Sequence, residues 1–293
     1  MIFDTHAHYD DAAFEADRET ALGQVRADGV DRILNCGAGL VSSVRSLELA
    51  HSHDFVYAAV GVHPDEAGEL LEDGEEEKYD LSEEQRTELE QIRGRRRAAT
   101  SAAETPLEYL RGLALQPKVL AIGEIGLDYH WDRWPRALQR DTFIRQWELA
   151  LELGLPIEIH SRDAAEDTMD IVRSMYERGQ AAGRGLRVDM HCYSYSPEQA
   201  REYVKLGLYF GIGGVVTFKN AKKLQEVVRE LPLERILLET DCPYLAPEPY
   251  RGQRNCSAYL TGVAARIAEL KGITEAEVYA QTAENAEVFF GMD

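Results

Sequence analysis

The sequence predicts an α/β fold, a (β/α)8 barrel of the TIM type in which eight parallel strands alternate with helices. Apolar runs typical of buried strands recur eight times along the 293 residues, and amphipathic stretches separate them. This alternation implies parallel strand pairing, and eight such units imply a closed barrel. Side chains that can bind metal end the first, fourth, fifth, sixth and eighth of these strands. A doubly wound open sheet, the alternative fold, would not gather ligands from so many strands.

The strands are predicted from apolar runs in chain order, at residues 2–8, 32–37, 56–63, 119–127, 156–162, 187–194, 209–214 and 236–242. Helical spacing is clearest within residues 136–153, where apolar side chains from Leu138 to Leu151 fall on one face. The tail after Cys256 is predicted to form two or three further helices that pack outside the barrel.

The connection after the third predicted strand is long, and we expect it to hold a helical insertion at about residues 68–117. It contains an acidic run at 72–77 and helical patterns at 82–93 and 104–113. Connections that follow strands lie on the catalytic face of a barrel, so this insertion is either a lid or a solvated helical addition. The second interpretation is favoured because loops tolerate insertions well. We therefore predict one domain over residues 1–293.

Composition and charge exclude several classes of protein. The net charge is −20, from 32 basic and 52 acidic side chains, so the whole surface cannot grip long stretches of nucleic-acid backbone. No apolar run approaches the ~20 residues needed to span a bilayer, and the polar start of the chain has no apolar signal region. The four cysteines have no C-x-x-C spacing, which favours a reducing compartment. We expect a cytoplasmic protein without membrane association.

Six side chains that can bind metal each lie at the end of a predicted strand: His6, His8, Glu124, His160, His191 and Asp241. Histidines two apart on a strand point to the same side, so the first two can hold one ion. Alone, each histidine could be a structural core residue, Glu124 could form an ion pair, and Asp241 could be a helix N-cap. Together, four histidines and two carboxylates suit a pair of divalent transition metals. An open two-metal site suits hydrolysis of an ester or phosphodiester bond.

Three carboxylates close to these candidates are expected to support them. Asp4 shares a strand face with His6 and is interpreted as the acceptor that orients an imidazole. Glu239 lies deeper than Asp241 on the same face, which suits the same supporting role. Asp128 is expected either at the rim or in support of a ligand.

Other candidates are expected to contact substrate. His63 ends the third strand and is predicted to donate to a substrate oxygen, while Arg251 and Arg254 follow late strands and are candidates for phosphate contacts. Surface cations without a function remain the alternative for both arginines. Cys192 beside His191 raises the further alternative of a thiol nucleophile, which the surrounding metal-ligand types disfavour.

Seven segments resemble the TatD family of metal-dependent deoxyribonucleases, in the same order and over nearly the whole chain. They are residues 4–8 (Asp-Thr-His-Ala-His), 61–64, 122–129, 159–162, 191–194, 238–245 and 250–255. The resemblance implies a barrel with two divalent ions. It assigns one ion to His6, His8, Glu124 and Asp241, and the other to Glu124, His160 and His191. It also places His63 and Arg162 against the substrate phosphate.

The expected activity is divalent-metal-dependent cleavage of phosphodiester bonds, as a 3′–5′ exodeoxyribonuclease acting on DNA through a metal-activated water. In this hypothesis Asp241, Glu124 and His63 are the catalytic residues. The two ions are zinc, manganese, magnesium, nickel or iron. DNA is expected to bind weakly through few phosphate contacts, and the protein is expected to be a monomer or small homo-oligomer.

Three alternatives remain open from the sequence. The first is hydrolysis of a small-molecule ester or amide, and the second is deacylation of D-aminoacyl-tRNA, an activity also attributed to TatD-like proteins. Both would use the same ligand set on a different bond. The third is a binding module without catalysis, which a complete ligand set disfavours.

Overall fold

The computed structural model describes residues 1–99 and 104–292, and it confirms the predicted barrel. Eight strands pair in parallel, each with its neighbour in the chain. They are β1 (Phe3–Ala7), β2 (Arg32–Cys36), β3 (Val56–Val60), β4 (Val119–Asp128), β5 (Ile157–Arg162), β6 (Val188–Met190), β7 (Tyr209–Ile212) and β8 (Ile236–Leu238).

Helices follow the strands as the pattern predicts. They are α1 (Arg18–Ala27), α2 (Leu40–Ser52), α3 (Glu83–Ala99), α4 (Pro106–Ala114), α5 (Arg136–Leu153), α6 (Ala165–Ala181), α7 (Pro197–Lys205), α8 (Lys222–Glu230), α9 (Leu260–Lys271) and α10 (Glu275–Phe290). The last two form the predicted helical tail, after a short 3-10 turn at Ser257–Tyr259. Within residues 1–99 and 104–292, no helix combines the length and apolarity needed to cross a membrane.

The barrel closes where β1 meets the segment after β8. Ala7 pairs with Cys242 in a parallel bridge, and the backbone amide of Asp241 donates to the carbonyl of His6 at 2.9 Å. The buried carboxylate of Asp4 reinforces this seam, because it accepts from the backbone amide and the hydroxyl of Thr240 at 2.9 and 2.6 Å. Closure therefore fixes the first and last candidate ligands relative to each other.

Apolar side chains fill two layers around this barrel. A large cluster lies between the strands and the surrounding helices, as expected for parallel strands that are covered on both faces. A second cluster joins Phe3, Tyr209 and Leu237 to Phe289 and Phe290 of α10. Since Phe3 and Tyr209 begin their strands, α10 covers the amino-terminal end of the barrel and leaves the opposite end for the candidate site.

The predicted insertion is present between β3 and β4, although residues 100–103 lie outside the described part of the chain. The predicted helices at 82–93 and 104–113 correspond to α3 and α4, and the acidic run contributes a 3-10 turn at Glu75–Lys78. A small apolar cluster, which includes Leu89 and Ile92 of α3, packs this region against Trp134 and Leu138 at the start of α5. The insertion is thus docked on the outer helical layer.

Three predicted strand boundaries were wrong in the same direction. β3, β6 and β8 end several residues before the predicted ends, because the regular ladder to the neighbouring strand stops there and only single backbone hydrogen bonds continue, such as that from Asp241 to His6. The fourth strand differs in the other direction. β4 ends at Asp128, one residue beyond the predicted end, and Glu124 lies within the strand and not at its end.

We expect the ion pair between Arg145 of α5 and Glu75 to stabilise the docked insertion. The two side chains form two hydrogen bonds of 2.6 and 2.8 Å. Arg145→Met should lower the free energy of unfolding by about 0.5–1 kcal/mol, whereas Arg173→Met, which breaks an exposed pair with Glu202, should have a smaller effect. Urea unfolding at pH 7 measures both changes.

The effect of Arg145→Met should also depend on pH. The hydrogen bond from Arg145 lowers the pKa of Glu75 from 4.5 to about 2. A depressed carboxyl pKa contributes stability above the unfolded value and loses it as the pH falls through the folded value. The difference between wild type and variant should therefore shrink between pH 4.5 and pH 2. An unchanged difference at pH 3 would contradict this role for the pair.

Candidate metal centre

The candidate ligands converge at the carboxyl end of the barrel because their strands are parallel and adjacent. His6 and Glu124 project from β1 and β4, and His160 from β5. His191 follows β6 directly, and Asp241 follows β8 after two residues. The structure thus brings together side chains that are up to 235 positions apart in the sequence.

Glu124 lies at the centre of this group, and its two carboxylate oxygens face different histidines. Oε2 is 3.6 Å from Nε2 of His6 and 3.7 Å from Nε2 of His8. Oε1 is 2.9 Å from Nδ1 of His160 and 3.7 Å from Nε2 of His191. A carboxylate in this position can bridge two cations, with one oxygen directed to each.

The distances on the first side suit a single cation. His6 and His8 bring their Nε2 atoms within 3.2 Å of each other, and Nε2 of His8 is 3.4 Å from Oδ1 of Asp241. Tetrahedral ligands at bond lengths of ~2.0–2.2 Å lie roughly 3.3–3.6 Å apart. His6, His8 and Asp241 therefore have both the chemistry and the spacing to hold a divalent cation, and Oε2 of Glu124 lies within 3.7 Å of both histidines.

The second side is more open than the first. His191 lies close to Glu124 but also stacks on the His6 ring, with centroids 3.5 Å apart. His160 forms its tightest group with His63 and Asp128, since its Nε2 is 2.9 Å from Oδ2 of Asp128. His191 therefore groups with His6 and Glu124, and His160 groups with His63 and Asp128. The set of Glu124, His160 and His191 that the resemblance implies for a second cation stays a prediction.

Three imidazoles contact a partner through Nδ1, and each directs its Nε2 toward Glu124. Nδ1 of His8 contacts the carbonyl of Cys36 at 2.8 Å, and as its donor leaves Nε2 free to accept a cation. Nδ1 of His191 is 2.9 Å from Oε2 of Glu239. Nδ1 of His6 is 3.3 Å from Oε2 of Glu158. Such contacts fix ring orientation and tautomer in metal sites.

The electrostatics of the pocket favour positive charge. Burial alone would raise the pKa of Glu124, but hydrogen bonds from His160 and His6 outweigh it and hold that pKa well below the usual value. Burial would likewise lower the pKa of His8 and His160, yet their contacts with Asp241 and Asp128 raise each to about 9. Carboxylates that favour a proton on these nitrogens equally favour a divalent cation there.

His63 approaches the same carboxylate from the loop after β3. Its Nε2 is 4.0 Å from Oε1 of Glu124, while its Nδ1 accepts from the backbone amide of Asp65 at 3.1 Å. Burial, followed by the charge of His160, lowers the pKa of His63 to about 3. The imidazole is therefore neutral, and because Nδ1 accepts, its proton lies on Nε2 and points into the site.

Two buried carboxyl groups beneath the site were missed by the sequence interpretation. Glu158 and Asp189 are adjacent across β5 and β6, and both are fully buried. Burial, together with their neighbouring carboxylates, raises the pKa of each well above its usual range. Each lies two residues before a candidate histidine and shares its strand face. The same position, two residues before a candidate ligand on the same face, identified Asp4 and Glu239 as supporting residues, and it could have identified these two carboxyl groups also.

Asp4 and Glu239 were both predicted to support a ligand, but they have different partners in the structure. Glu239 contacts an imidazole as expected. Asp4 does not, so its predicted role was wrong: its carboxylate accepts from backbone and hydroxyl groups at the barrel seam. The thiol alternative also loses support, because burial raises the pKa of Cys192 well above 9 and disfavours a thiolate.

The three predicted substrate-binding arginines lie in different surroundings. Arg162 ends β5 with its guanidinium over the Trp131 ring, 5.7 Å from the centroid. Arg251 lies over Phe218 at 4.4 Å. Arg254 instead forms two 2.7 Å hydrogen bonds with the carboxylate of Asp17. This guanidinium already has a carboxylate partner, which would have to be released before a phosphate could bind there.

Comparison with known families gives one match along almost the whole chain. The family described as TatD related DNase matches residues 3–291. The metal-dependent hydrolase YabD of Bacillus subtilis is 41% identical over 290 residues, which cover 99% of each chain. A 3′-5′ ssDNA/RNA exonuclease TatD of Klebsiella pneumoniae is 29% identical, with 100% of this chain and 98% of that protein covered.

Solved structures share the same fold. The crystal structure of YJJV, a TatD homologue from Escherichia coli, has a TM-score of 0.74 and 30% identity, with 99% of this chain and 98% of that chain covered. An amidohydrolase from Saccharomyces cerevisiae has a TM-score of 0.78 at 19% identity, with 99% of both chains covered. The second likeness supports the barrel fold alone.

We expect Glu239→Gln to weaken cation binding, because Glu239 holds both Nδ1 of His191 and the backbone amide of Cys192, at 2.9 and 2.8 Å. Loss of such a supporting carboxylate typically costs about 10- to 100-fold in metal affinity. Isothermal titration of chelator-treated protein with zinc or manganese measures the change. Glu226→Gln, on the exposed face of α8, is the matched control. Equal affinities for the two variants would contradict the supporting role.

Proposed function

The chain belongs to the family of TatD related DNases, and we propose that it is a divalent-metal-dependent hydrolase that removes nucleotides from the 3′ end of single-stranded DNA. The observation that carries this proposal is the position of Glu124. One of its oxygens faces His6 and His8, and the other faces His160 and His191. Two cations bridged by a carboxylate are suited to in-line displacement at a phosphodiester.

The DNA substrate is supported by relatives and by the charge of the chain. Relatives in Klebsiella pneumoniae and Escherichia fergusonii are named 3′-5′ ssDNA/RNA exonucleases, and they match this chain over nearly its full length. The net charge of −20 disfavours extended backbone contacts, so a substrate bound near one end by few phosphates fits better than a long duplex.

The donor chemistry fits two divalent transition cations better than magnesium alone. His6, His8, Glu124 and Asp241 would hold one cation, and Glu124, His160 and His191 the other. Four imidazole nitrogens favour zinc, iron or nickel over magnesium as the resident ions by ligand softness, and the two carboxylates also suit manganese. When bound, such ions supply Lewis acidity toward the phosphate and lower the pKa of an attacking water.

Asp241 and His63 have the geometry for the remaining chemistry. Asp241 is held in its ionised form, since the hydrogen bond from His8 and the charge of His191 outweigh burial and lower its pKa. An ionised carboxylate at the mouth of the barrel can accept the proton of the attacking water. His63 directs the proton on its Nε2 into the site, where it can donate to a non-bridging phosphate oxygen as charge develops there.

Arg162 is the best placed of the predicted substrate-binding cations. It follows His160 by two residues on β5 and is exposed at the mouth of the barrel. Arg251 is also exposed, next to Phe218. Arg254 is the least available, because Asp17 already occupies its guanidinium. We therefore assign phosphate contacts to Arg162 first.

Nucleotide release by metal-stripped protein tests this function. We expect 3′-labelled single-stranded DNA to be degraded only when manganese, magnesium or zinc is returned. Glu124→Gln should lose at least a hundredfold in rate and bind less than two ions per chain, because it removes the shared ligand. Glu226→Gln should match wild type in both measurements.

Two outcomes would contradict the proposal in different ways. Near-normal turnover by Glu124→Gln at saturating metal would remove Glu124 from the centre of the mechanism. No release from any DNA by protein that binds two ions would redirect the assignment to an ester, either of a small molecule or of D-aminoacyl-tRNA, and both can be assayed with the same preparation.

A second prediction isolates His63. His63→Gln should lower kcat on single-stranded DNA by about a hundredfold, the usual cost of one lost hydrogen-bond donor to a developing negative charge. Its metal content, measured by plasma mass spectrometry, should stay at the wild-type value because His63 is not assigned to either cation. His51→Gln on the exposed face of α2 is the control. A loss of metal equal to the loss of activity would make His63 a ligand instead.

A further inference from the structure

One exposed aromatic side chain beside the site has no role in the chemistry described above. Trp131 is 62% exposed, whereas the other two tryptophans of the chain, Trp134 and Trp147, are buried. It lies in the connection between β4 and α5, on the same face of the barrel as the candidate ligands. An indole ring held in water forgoes the burial that stabilises the other two.

The position of Trp131 is tied to the candidate metal centre by one carboxylate. Oδ1 of Asp128 accepts from the backbone amides of His130 and Trp131 at 2.9 and 2.8 Å. Oδ2 of the same residue is 2.9 Å from Nε2 of His160. Asp128 is itself buried at the end of β4. Asp128 therefore connects the backbone of the exposed Trp131 to His160, a candidate metal ligand.

Arg162 completes a pair with this ring. Its guanidinium lies 5.7 Å from the centroid of the Trp131 ring, at the end of the strand that carries His160. Within the described ranges, Arg162 has no carboxylate at ion-pair distance, although the protein is strongly acidic. The neighbouring arginines of this region are paired, Arg133 with Glu88 at 2.9 Å and Arg140 with Asp167 at 3.2 Å.

The surroundings of the pair are otherwise polar. The His130 and Trp131 rings form a T-shaped contact, with centroids 4.9 Å apart and an interplanar angle of 85°, and Nδ1 of His130 is 3.2 Å from Oδ2 of Asp163. The pair therefore offers one exposed flat ring and one cation without a carboxylate partner. A planar ring followed by an anion matches this surface, and a nucleotide supplies both.

We propose that Trp131 and Arg162 form a nucleotide subsite, in which the indole stacks on an unpaired base and the guanidinium binds a backbone phosphate close to the scissile bond. This inference rests on the proposed function and deepens it, because it specifies how a single strand is selected. Every base offers a π face, so stacking tolerates any sequence. Bases inside a duplex are already stacked and would have to be unpaired first.

Comparison of wild type with Trp131→Ala, on intact strands and on strands with an abasic residue, tests the stacking. The substrates are decathymidylate and decathymidylates with one abasic residue at the first, second or third position from the 3′ end. Trp131→Ala should lower kcat/KM on the intact strand by roughly 5- to 150-fold, the range known for loss of one stacked base. On the strand that is abasic at the stacked position, the same substitution should cause little further loss.

Control variants separate stacking from a general disturbance of the fold. Trp131→Phe keeps a flat aromatic face and should recover most of the activity on the intact strand. Leu115→Ala shortens a side chain that is 66% exposed between α4 and β4, and it should match wild type on every strand. An equal loss for Trp131→Ala on all strands, or no loss on any, would overturn the subsite.

Fluorescence tests the subsite without catalysis. With Trp134 and Trp147 buried, acrylamide should quench mainly Trp131, and added decathymidylate should protect it in chelator-treated protein. A fully abasic decamer should protect much less, and Arg162→Gln should weaken protection by decathymidylate. Protection without cleavage by wild type would contradict the exonuclease and retain the subsite. Cleavage without protection, and without loss in Trp131→Ala, would overturn the subsite and retain the exonuclease.

Discussion

A carboxylate buried inside a parallel barrel requires positive charge close by, and in this protein that constraint organises the carboxyl end of the barrel. Glu124 is 5% exposed, within a strand whose neighbours are apolar. Isolated, such a charge would cost several kcal/mol. Imidazoles from β1, β5 and the end of β6 surround it instead, and their contacts hold its pKa well below the usual value. The same arrangement that stabilises the carboxylate presents several nitrogens to a cation.

The rest of the barrel maintains this arrangement. The seam between β1 and the segment after β8, fastened by Asp4 and Thr240, sets His6 and His8 against Asp241. Beneath the candidate ligands, Glu158 contacts Nδ1 of His6 and Glu239 contacts Nδ1 of His191, which fixes the orientation of both rings. At the rim, Asp128 connects His160 to the loop that carries Trp131. Support therefore extends from the closed end of the barrel outward to the surface that we assign to substrate.

Much of this could be predicted from the sequence, for identifiable reasons. The eight strands were found because parallel strands covered on both faces are apolar runs, and ligand types at strand ends predicted that His6, Glu124, His160, His191 and Asp241 converge. Where each strand stops depends on pairing with its neighbour, which the apolar pattern does not contain. The hydrogen-bond partners of the buried carboxyl groups could not be predicted from the sequence either. Asp4 shares a face with His6 but bonds across the seam, and Glu158 reaches an imidazole on another strand. The exposure of Trp131 depends on the path of its loop.

The bridging position of Glu124 is the claim on which the proposed chemistry depends, and anomalous diffraction from crystals soaked in manganese or zinc tests it most directly. We predict two anomalous peaks, one on each side of the Glu124 carboxylate, the first against His6, His8 and Asp241 and the second against His160 and His191. A single peak, or two peaks of which neither contacts Glu124, would contradict the account.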